Sequence, residues 1–182
     1  ALDVKLNDLE KLISDIHEFS QTTSGNLKLD IHSFSLFDAL TQWESDIEFS
    51  ITSADFECRY INSMPKDIHV NLDKTKLKQV LVNIVSNSVK YTDKPGVIKL
   101  ESAIVQGKVH ITIEDSAPNI HDKHLSKIFE RMYRVDSSRN RETGGTGLGL
   151  AICKSLIEAQ NGTIMASQSE LGGLKITIEL PI

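Results

Sequence analysis

Residues 77–92 read LKQVLVNIVSNSVKYT. Leu77, Val80, Leu81, Ile84, Val85 and Val89 recur at spacings of three and four, which gives one helix with a wide apolar face. Asp73 stands where an N-cap belongs, so the helix extends through Tyr91. Asn83 and Asn87 are four apart and share a face, and Lys90, three beyond Asn87, falls nearly on it. Two amides among apolar residues are expensive to bury without partners. A carboxamide oxygen is a hard ligand that suits Mg²⁺, and a lysine meets a phosphate as a point charge. Taken alone, the segment reads equally well as a helix whose amides tie down neighbouring loops.

Outward from that helix the pattern alternates between the two periods. On its N-terminal side, residues 68–72 and 56–61 read as short strands, 36–49 with Trp43 as an amphipathic helix, and 27–31 as a strand by alternation. On its C-terminal side, residues 97–105 and 109–114 predict a hairpin around Gln106 and Gly107. Residues 116–145 are polar, broken by one helical patch ending in Ile128 and Phe129. Residues 146–159 return to helix, and 162–167 with 174–180 close as a strand pair. Strands and helices mix without a strict βαβ repeat, so the expected class is α+β, a mixed sheet with helices on one face. At the start, Leu2, Leu6, Leu9, Ile13 and Ile16 alternate spacings of four and three, the seam of a coiled coil or helical bundle. That helix calls for a helical partner and ends in a loop around Gly25. Residues 1–25 therefore separate from a unit at 26–182.

A length of 182 residues, 40% of them hydrophobic, suffices for one core and a small appendage. A net charge of −5 supplies no basic field, which argues against nucleic acid as a partner. Cys58 and Cys153 fit neither a zinc spacing nor a disulfide framework and read as ordinary thiols in a reducing compartment. No apolar run approaches the roughly 20 residues of a membrane span, so this chain is expected to make no direct membrane contact.

Three further segments carry candidate chemistry. Residues 144–150, GGTGLGL, precede an apolar helix, and glycines before a helix N-terminus make an anion site or a simple hinge. Asp115 ends an apolar strand and is followed by Ser116, Ala117, Pro118, Asn119 and Ile120. Its carboxylate can accept from an exocyclic amine such as that of adenine, or it can merely start a turn. Between them, Phe129, Glu130, Arg131, Met132, Tyr133, Arg134, Arg139 and Arg141 form a loop rich in aromatics and cations that could close over a polyphosphate.

In this order the segments resemble the nucleotide-binding boxes of sensor histidine kinases, within the wider group that holds gyrase, Hsp90 and MutL. The resemblance covers nearly the whole chain and implies a Bergerat α/β sandwich that binds ATP and Mg²⁺. Asn83 to Tyr91 resembles the N box. The resemblance implies that Asn87 holds Mg²⁺, with Asn83 as a second candidate ligand, that Asn83 and Lys90 help bind phosphates, and that Tyr91 lies beside the nucleotide. Asp115, Ala117, Asn119 and Ile120 match the first glycine box, whose aspartate bonds the adenine amine. Phe129, Tyr133 and Arg134 match the F box and its flank, and Gly145, Thr146, Gly147, Leu148, Gly149 and Leu150 the second glycine box, with the ATP lid between them. Gly172 and Gly173 would be a shortened last glycine box. The heptad helix resembles the second helix of the dimerisation and phosphotransfer domain. The implied setting is the cytoplasmic portion of a bacterial inner-membrane protein that is a homodimer. The implied partners are the phosphoacceptor histidine helix of the parent kinase and the receiver domain of a response regulator.

Two departures stand out. The family's first glycine box has glycines where this chain has Ala117 and Asn119, and asparagine is among the residues that best tolerate a positive φ. No His-Glu-x-x-Thr-Pro segment precedes the heptad helix, so the acceptor histidine is expected elsewhere and His17 reads as a surface or bundle residue. Two rival functions remain on this reading. In the family's ATP-hydrolysing members a glutamate that activates water stands at the position of Asn83, and an amide cannot act as general base, which argues against a chaperone- or topoisomerase-like ATPase. A degenerate, nucleotide-poor regulatory module is favoured only by Ala117 and Asn119.

Overall fold

The computed structural model describes residues 2–135 and 146–182. Helix α1, Leu2–Thr23, is followed by strand β1, His32–Ser35, helix α2, Leu36–Thr52, and strands β2, Glu57–Asn62, and β3, His69–Leu72. Helix α3, Lys74–Tyr91, leads into the hairpin β4, Val97–Val105, and β5, Lys108–Ser116. A short helix α4, Asp122–Leu125, then helix α5, Gly149–Glu158, and strands β6, Thr163–Gln168, and β7, Gly172–Leu180, complete the chain.

Five strands form one sheet in the order β2-β4-β5-β7-β6, with β2 parallel to β4 and every other pair antiparallel. β1 and β3 form a separate antiparallel pair. Alternation along the sheet strands sends Ile98, Leu100, Ile111, Ile113, Ile176 and Ile178 to one face, where they meet Leu40 and Ile47 of α2, Leu77, Leu81 and Ile84 of α3, and Ile152 and Leu156 of α5, all at most 2% exposed. Each such side chain contributes about 1.5–3 kcal/mol by burial. The other face carries Lys99, Glu101 and Glu114, with Lys99 Nζ 2.7 Å from Glu101 and 3.5 Å from Glu114. The class is therefore the expected α+β, a mixed sheet covered on one face by helices.

Capping follows the expected chemistry. Asp73 Oδ1 accepts from Lys76 N at 2.9 Å and starts α3, while its Oδ2 accepts from Asp30 N at 2.9 Å. Gln106 and Gly107 turn the hairpin with φ of 53° and 76°, both in the left-handed region that a two-residue turn of this kind requires. Residues 27–31 alternate as expected but form no strand. β3 ends at Leu72 opposite His32, because Asp73 already begins α3, so no edge remains for residues before 32 to pair with. The helical patch expected to end at Ile128 and Phe129 stops at Leu125 as α-helix, and turns carry the chain to Glu130.

The C-terminal half of α1 lies against the rest of the protein. Glu18, 9% exposed, accepts from Lys76 Nζ and Gln79 Nε2, each at 2.5 Å. Arg131 sits over the Phe19 ring at 4.4 Å, and Thr146 Oγ1 donates to Asp15 Oδ2 at 3.2 Å. Leu9, Ile13 and Ile16 remain 51%, 60% and 51% exposed, so these three positions of the α1 seam are uncovered in the single chain. No helix among the described residues is long and apolar enough to cross a membrane.

Candidate nucleotide site

The strand β5 delivers Asp115 to the helix side of the sheet. Val109, Ile111 and Ile113 point inward, and Asp115 continues that alternation at 7% exposure. Its Oδ2 accepts from Ser88 Oγ of α3 at 2.7 Å, and its Oδ1 accepts from the Leu174 N–H of β7 at 2.8 Å. Burial pushes its carboxyl up to about 6, against the two hydrogen bonds that favour the ionised form. Glu114 beside it adds a smaller push in the same direction.

Gly173 explains how a carboxylate fits there. A Cβ on it would stand 2.3 Å from Asp115 Oδ1, 2.3 Å from Ser116 O and 2.6 Å from Asp115 O, so only a glycine admits Asp115 at this register. The pairing of β5 with β7 shifts between Glu114 and Ser116, which brings Ser116 opposite Gly172. The turn beyond is tied at both ends: Asp93 N donates to Ala117 O at 2.8 Å, and Gln168 Nε2 donates to Ile120 O and to Asp122 Oδ1. Asn119 does not take the positive φ that would have explained it, and the Ala117–Pro118 peptide is cis. Ala117 and Asn119 are both exposed.

On α3, Asn83 and Asn87 are half-buried. Asn83 interacts with the Cys153 thiol of α5, whose Sγ also lies 3.8 Å from Val80 O. Burial, the largest cause, pushes that thiol up to about 12, so Cys153 is a packed, inert group. The Asn87 side chain hydrogen-bonds no described residue. Lys90 Nζ lies over the Tyr91 ring at 5.1 Å, and Tyr91 is 45% exposed. Because Ser88 is the next residue after Asn87, the Ser88–Asp115 bond sets the two candidate segments side by side.

The helix α5 begins at Gly149 with no side-chain cap on its first turn, and a Cβ on Gly149 would meet nothing within 4 Å. The N–H groups of Gly149, Leu150 and Ala151 have no acceptor among the described residues, which leaves them available to an anion. Gly147, φ +69°, presses on the backbone of Met132, where a Cβ would stand 2.9 Å from Met132 Cα; Met132 N donates to Gly147 O at 3.0 Å. The F-box segment and the second glycine segment are thus joined by backbone. Phe129 is half-buried, and Tyr133 OH meets His124 Nδ1 at 2.5 Å. Gly145 lies outside the described residues, as do Arg139 and Arg141. A groove of about 600 Å³ between α1, the Phe129–Arg131 turn and α5 contains Phe129 but none of the other expected site residues.

Sequence reasoning missed Ser88 and the backbone of Leu174 as partners of Asp115. Ser88 had a readable signal: it is a polar residue in the inward stripe of Leu77, Leu81 and Ile84, and a polar group there needs a partner. Leu174 had none, since its part is played by its N–H.

The family model described as histidine kinase-, DNA gyrase B-, and HSP90-like ATPase matches residues 72–182, the span that holds every segment just described from α3 onward. The chain belongs to this family. Within it the chain is similar to the signal transduction histidine-protein kinase BaeS of Escherichia coli strain K12, 37% identical over 182 residues that are 100% of this chain and 38% of BaeS. It therefore spans well under half the length of that sensor kinase. Among solved structures, full-length ShkA in complex with AMPPNP superposes with a TM-score of 0.79 at 25% identity, over 97% of this chain and 36% of ShkA. The histidine kinase ThkA in complex with the response regulator protein TrrA superposes with a TM-score of 0.73 at 25% identity, over 98% of this chain and 49% of ThkA. These two superpositions thus take in nearly all of the chain.

Proposed function

We propose that this chain is the ATP-binding catalytic part of a sensor histidine kinase and transfers the γ-phosphoryl group of ATP to a histidine outside residues 1–182, for relay to an aspartate of a response regulator. The observation that carries this reading is Asp115, a buried carboxylate held at a strand end by Ser88 and Leu174, with two oxygens that only accept. Such a group suits an exocyclic amine, and in this family the base is adenine.

The remaining residues follow the geometry. The free N–H groups of α5, with Thr146, Gly147, Leu148, Gly149 and Leu150 around them, face the phosphates. Lys90 leaves the Tyr91 ring to reach them, and Tyr91 flanks the nucleotide. Among the described residues no cluster of three His, Cys, Asp or Glu side chains could hold a metal. An unengaged amide oxygen on Asn87 fits an ion that keeps most of its shell as water and phosphate oxygens, so Asn87 would hold Mg²⁺, with Asn83 next to it on the same face. When bound, Mg²⁺ neutralises developing phosphate charge. The protein's own part is positioning: Asp115 fixes the base, the α5 N-terminus and Lys90 orient the chain of phosphates, and the Asn83 amide, which cannot take a proton from water, leaves a delivered imidazole as the nucleophile.

Residues 1–25 would belong to the dimerisation and phosphotransfer domain, and the exposed Leu9, Ile13 and Ile16 would meet a second copy in the parent homodimer. The complex of ThkA with TrrA supports a receiver domain as the partner. A cytoplasmic setting below a membrane anchor follows from the same assignment. Calorimetric titration with a non-hydrolysable ATP analogue, with and without Mg²⁺, tests the proposal. Saturable binding strengthened by Mg²⁺ is expected; an absence of binding at any Mg²⁺ concentration would overturn it.

A further inference from the structure

Met132 takes the left-handed conformation, φ 57°, although it is not a glycine, and the residue is 75% exposed. A residue with a Cβ meets a steric cost at that φ, and an exposed side chain gains no packing to offset it. The conformation is therefore imposed by the neighbours of its backbone. On one side, Met132 N donates to Gly147 O at 3.0 Å, and Gly147 lies so close that a Cβ on it would stand 2.9 Å from Met132 Cα. On the other side, Tyr133 OH meets His124 Nδ1 at 2.5 Å, with the two rings 6.0 Å apart and tilted by 46°.

His124 is a firm anchor because α4 is tied to the sheet. Gln168, the last residue of β6, donates to Ile120 O and to Asp122 Oδ1, on either side of the N-cap of α4. The same Gln168 pairs with Leu174 of β7, whose N–H holds Asp115 Oδ1. His124 O accepts from Lys127 N and Ile128 N at 2.9 and 3.0 Å, and Ile128 packs into the core. Contacts thus run from the strand beside Asp115 through Gln168, α4, His124, Tyr133 and Met132 to Gly147, two residues before α5 begins.

Resting on the nucleotide-site reading above, we propose that His124 is a positioning residue for the phosphate end of the site. By holding the Tyr133 hydroxyl it keeps Met132 in its left-handed conformation, and Met132 in turn sets Gly147 and the N–H groups of the first α5 turn. His124 acts through Tyr133 and Met132 and not on the ligand itself. The base end has its own fixtures in Ser88, Leu174 and Gly173, so loosening His124 weakens the hold on the phosphates and leaves the hold on the base.

The test uses the whole 182-residue chain, a non-hydrolysable ATP analogue and adenosine as ligands, and the variants His124→Phe, Tyr133→Phe, their combination and His124→Asn. Phenylalanine keeps a planar ring at position 124 and removes its nitrogens; at position 133 it removes only the hydroxyl. The expected result for each single phenylalanine variant is an affinity for the ATP analogue lowered about three- to tenfold, the worth of one hydrogen bond, with adenosine affinity unchanged. The double variant loses no more than either single one, because both break the same bond. His124→Asn, whose amide oxygen stands near the place of Nδ1, restores affinity. A bond that serves folding alone would lower Tm on removal and weaken both ligands alike or neither, and that result overturns the proposal. Losses that add in the double variant overturn it too, since His124 would then act apart from the Tyr133 hydroxyl. If His124→Phe fails to fold, Tyr133→Phe decides by the same ratio of ATP-analogue to adenosine affinity. If the wild-type chain binds both ligands and that ratio is the same in every variant, the His124 inference alone fails; if it binds neither, the nucleotide-site reading fails with it.

Discussion

The two ends of the proposed site are built in opposite ways. At the base end, Asp115 is 7% exposed, both its oxygens are engaged, and Gly173 leaves no room for even a methyl group. At the phosphate end, the Asn87 side chain hydrogen-bonds no described residue, Lys90 rests on an exposed tyrosine, and the first turn of α5 has no side-chain cap. The base end is held by the sheet itself, so its geometry exists before any ligand arrives and its residues bear on stability. The phosphate end is completed by what binds there, so its residues bear on affinity and leave the fold alone.

That contrast predicts a graded series. Gly173→Ala gives the largest effect, since the new methyl meets backbone and a carboxylate at 2.3–2.6 Å. We expect a loss of about 3 kcal/mol or more, seen as a Tm lowered by several degrees in thermal denaturation, together with loss of nucleotide binding. A Tm within a degree of wild type would mean the base end is not rigid.

Asp115→Asn separates stability from function in one residue. A carboxyl pushed from 3.8 to about 6 by burial carries, when ionised, a penalty on the order of 3 kcal/mol as an upper bound. The amide removes it, so above pH 6 the variant is expected to be more stable by about 1–2 kcal/mol in urea denaturation, while nucleotide affinity falls at least about tenfold. The sign reverses the usual behaviour of a paired aspartate. Between about pH 4 and 6 the native state binds more protons than the unfolded chain at this group, so its contribution to stability declines as pH rises through that window, and the variant lacks the decline.

Asn87→Ala samples the other end. Its unfolding free energy is expected within about 0.5 kcal/mol of wild type, with the Mg²⁺-dependent part of nucleotide affinity lost. Unchanged affinity in the presence of Mg²⁺ would move the metal elsewhere. Asn119→Gly is expected to change least, because Asn119 is exposed and does not occupy the left-handed region. A marked loss of binding would show that its side chain makes a contact with the ligand.

The same contrast shows in what the sequence made legible. The course of α3 could be read from its apolar stripe and its Asp73 cap, because both are local to the helix. The β4–β5 hairpin was legible in Gln106 and Gly107 for the same reason. Residues 27–31 alternate as a strand does, yet whether a strand forms depends on a partner 40 residues away that ends one position too soon. Asp115 was visible as a candidate, but its burial, its bond to Ser88 and the tightness of Gly173 arise from the packing of β5 against α3 and β7, which no spacing encodes. Asn119 shows the opposite failure, a plausible local explanation that the backbone does not use.

The most direct test of the account is the pH dependence of ATP-analogue affinity in wild type and Asp115→Asn, measured calorimetrically from pH 5 to 8. An amine needs the ionised carboxylate, so wild-type affinity is predicted to fall as pH drops through about 6, and the fall to vanish in the variant once titration of the nucleotide and other groups common to both is subtracted. Saturable binding with the same pH profile in both proteins would contradict Asp115 as the group that holds the base.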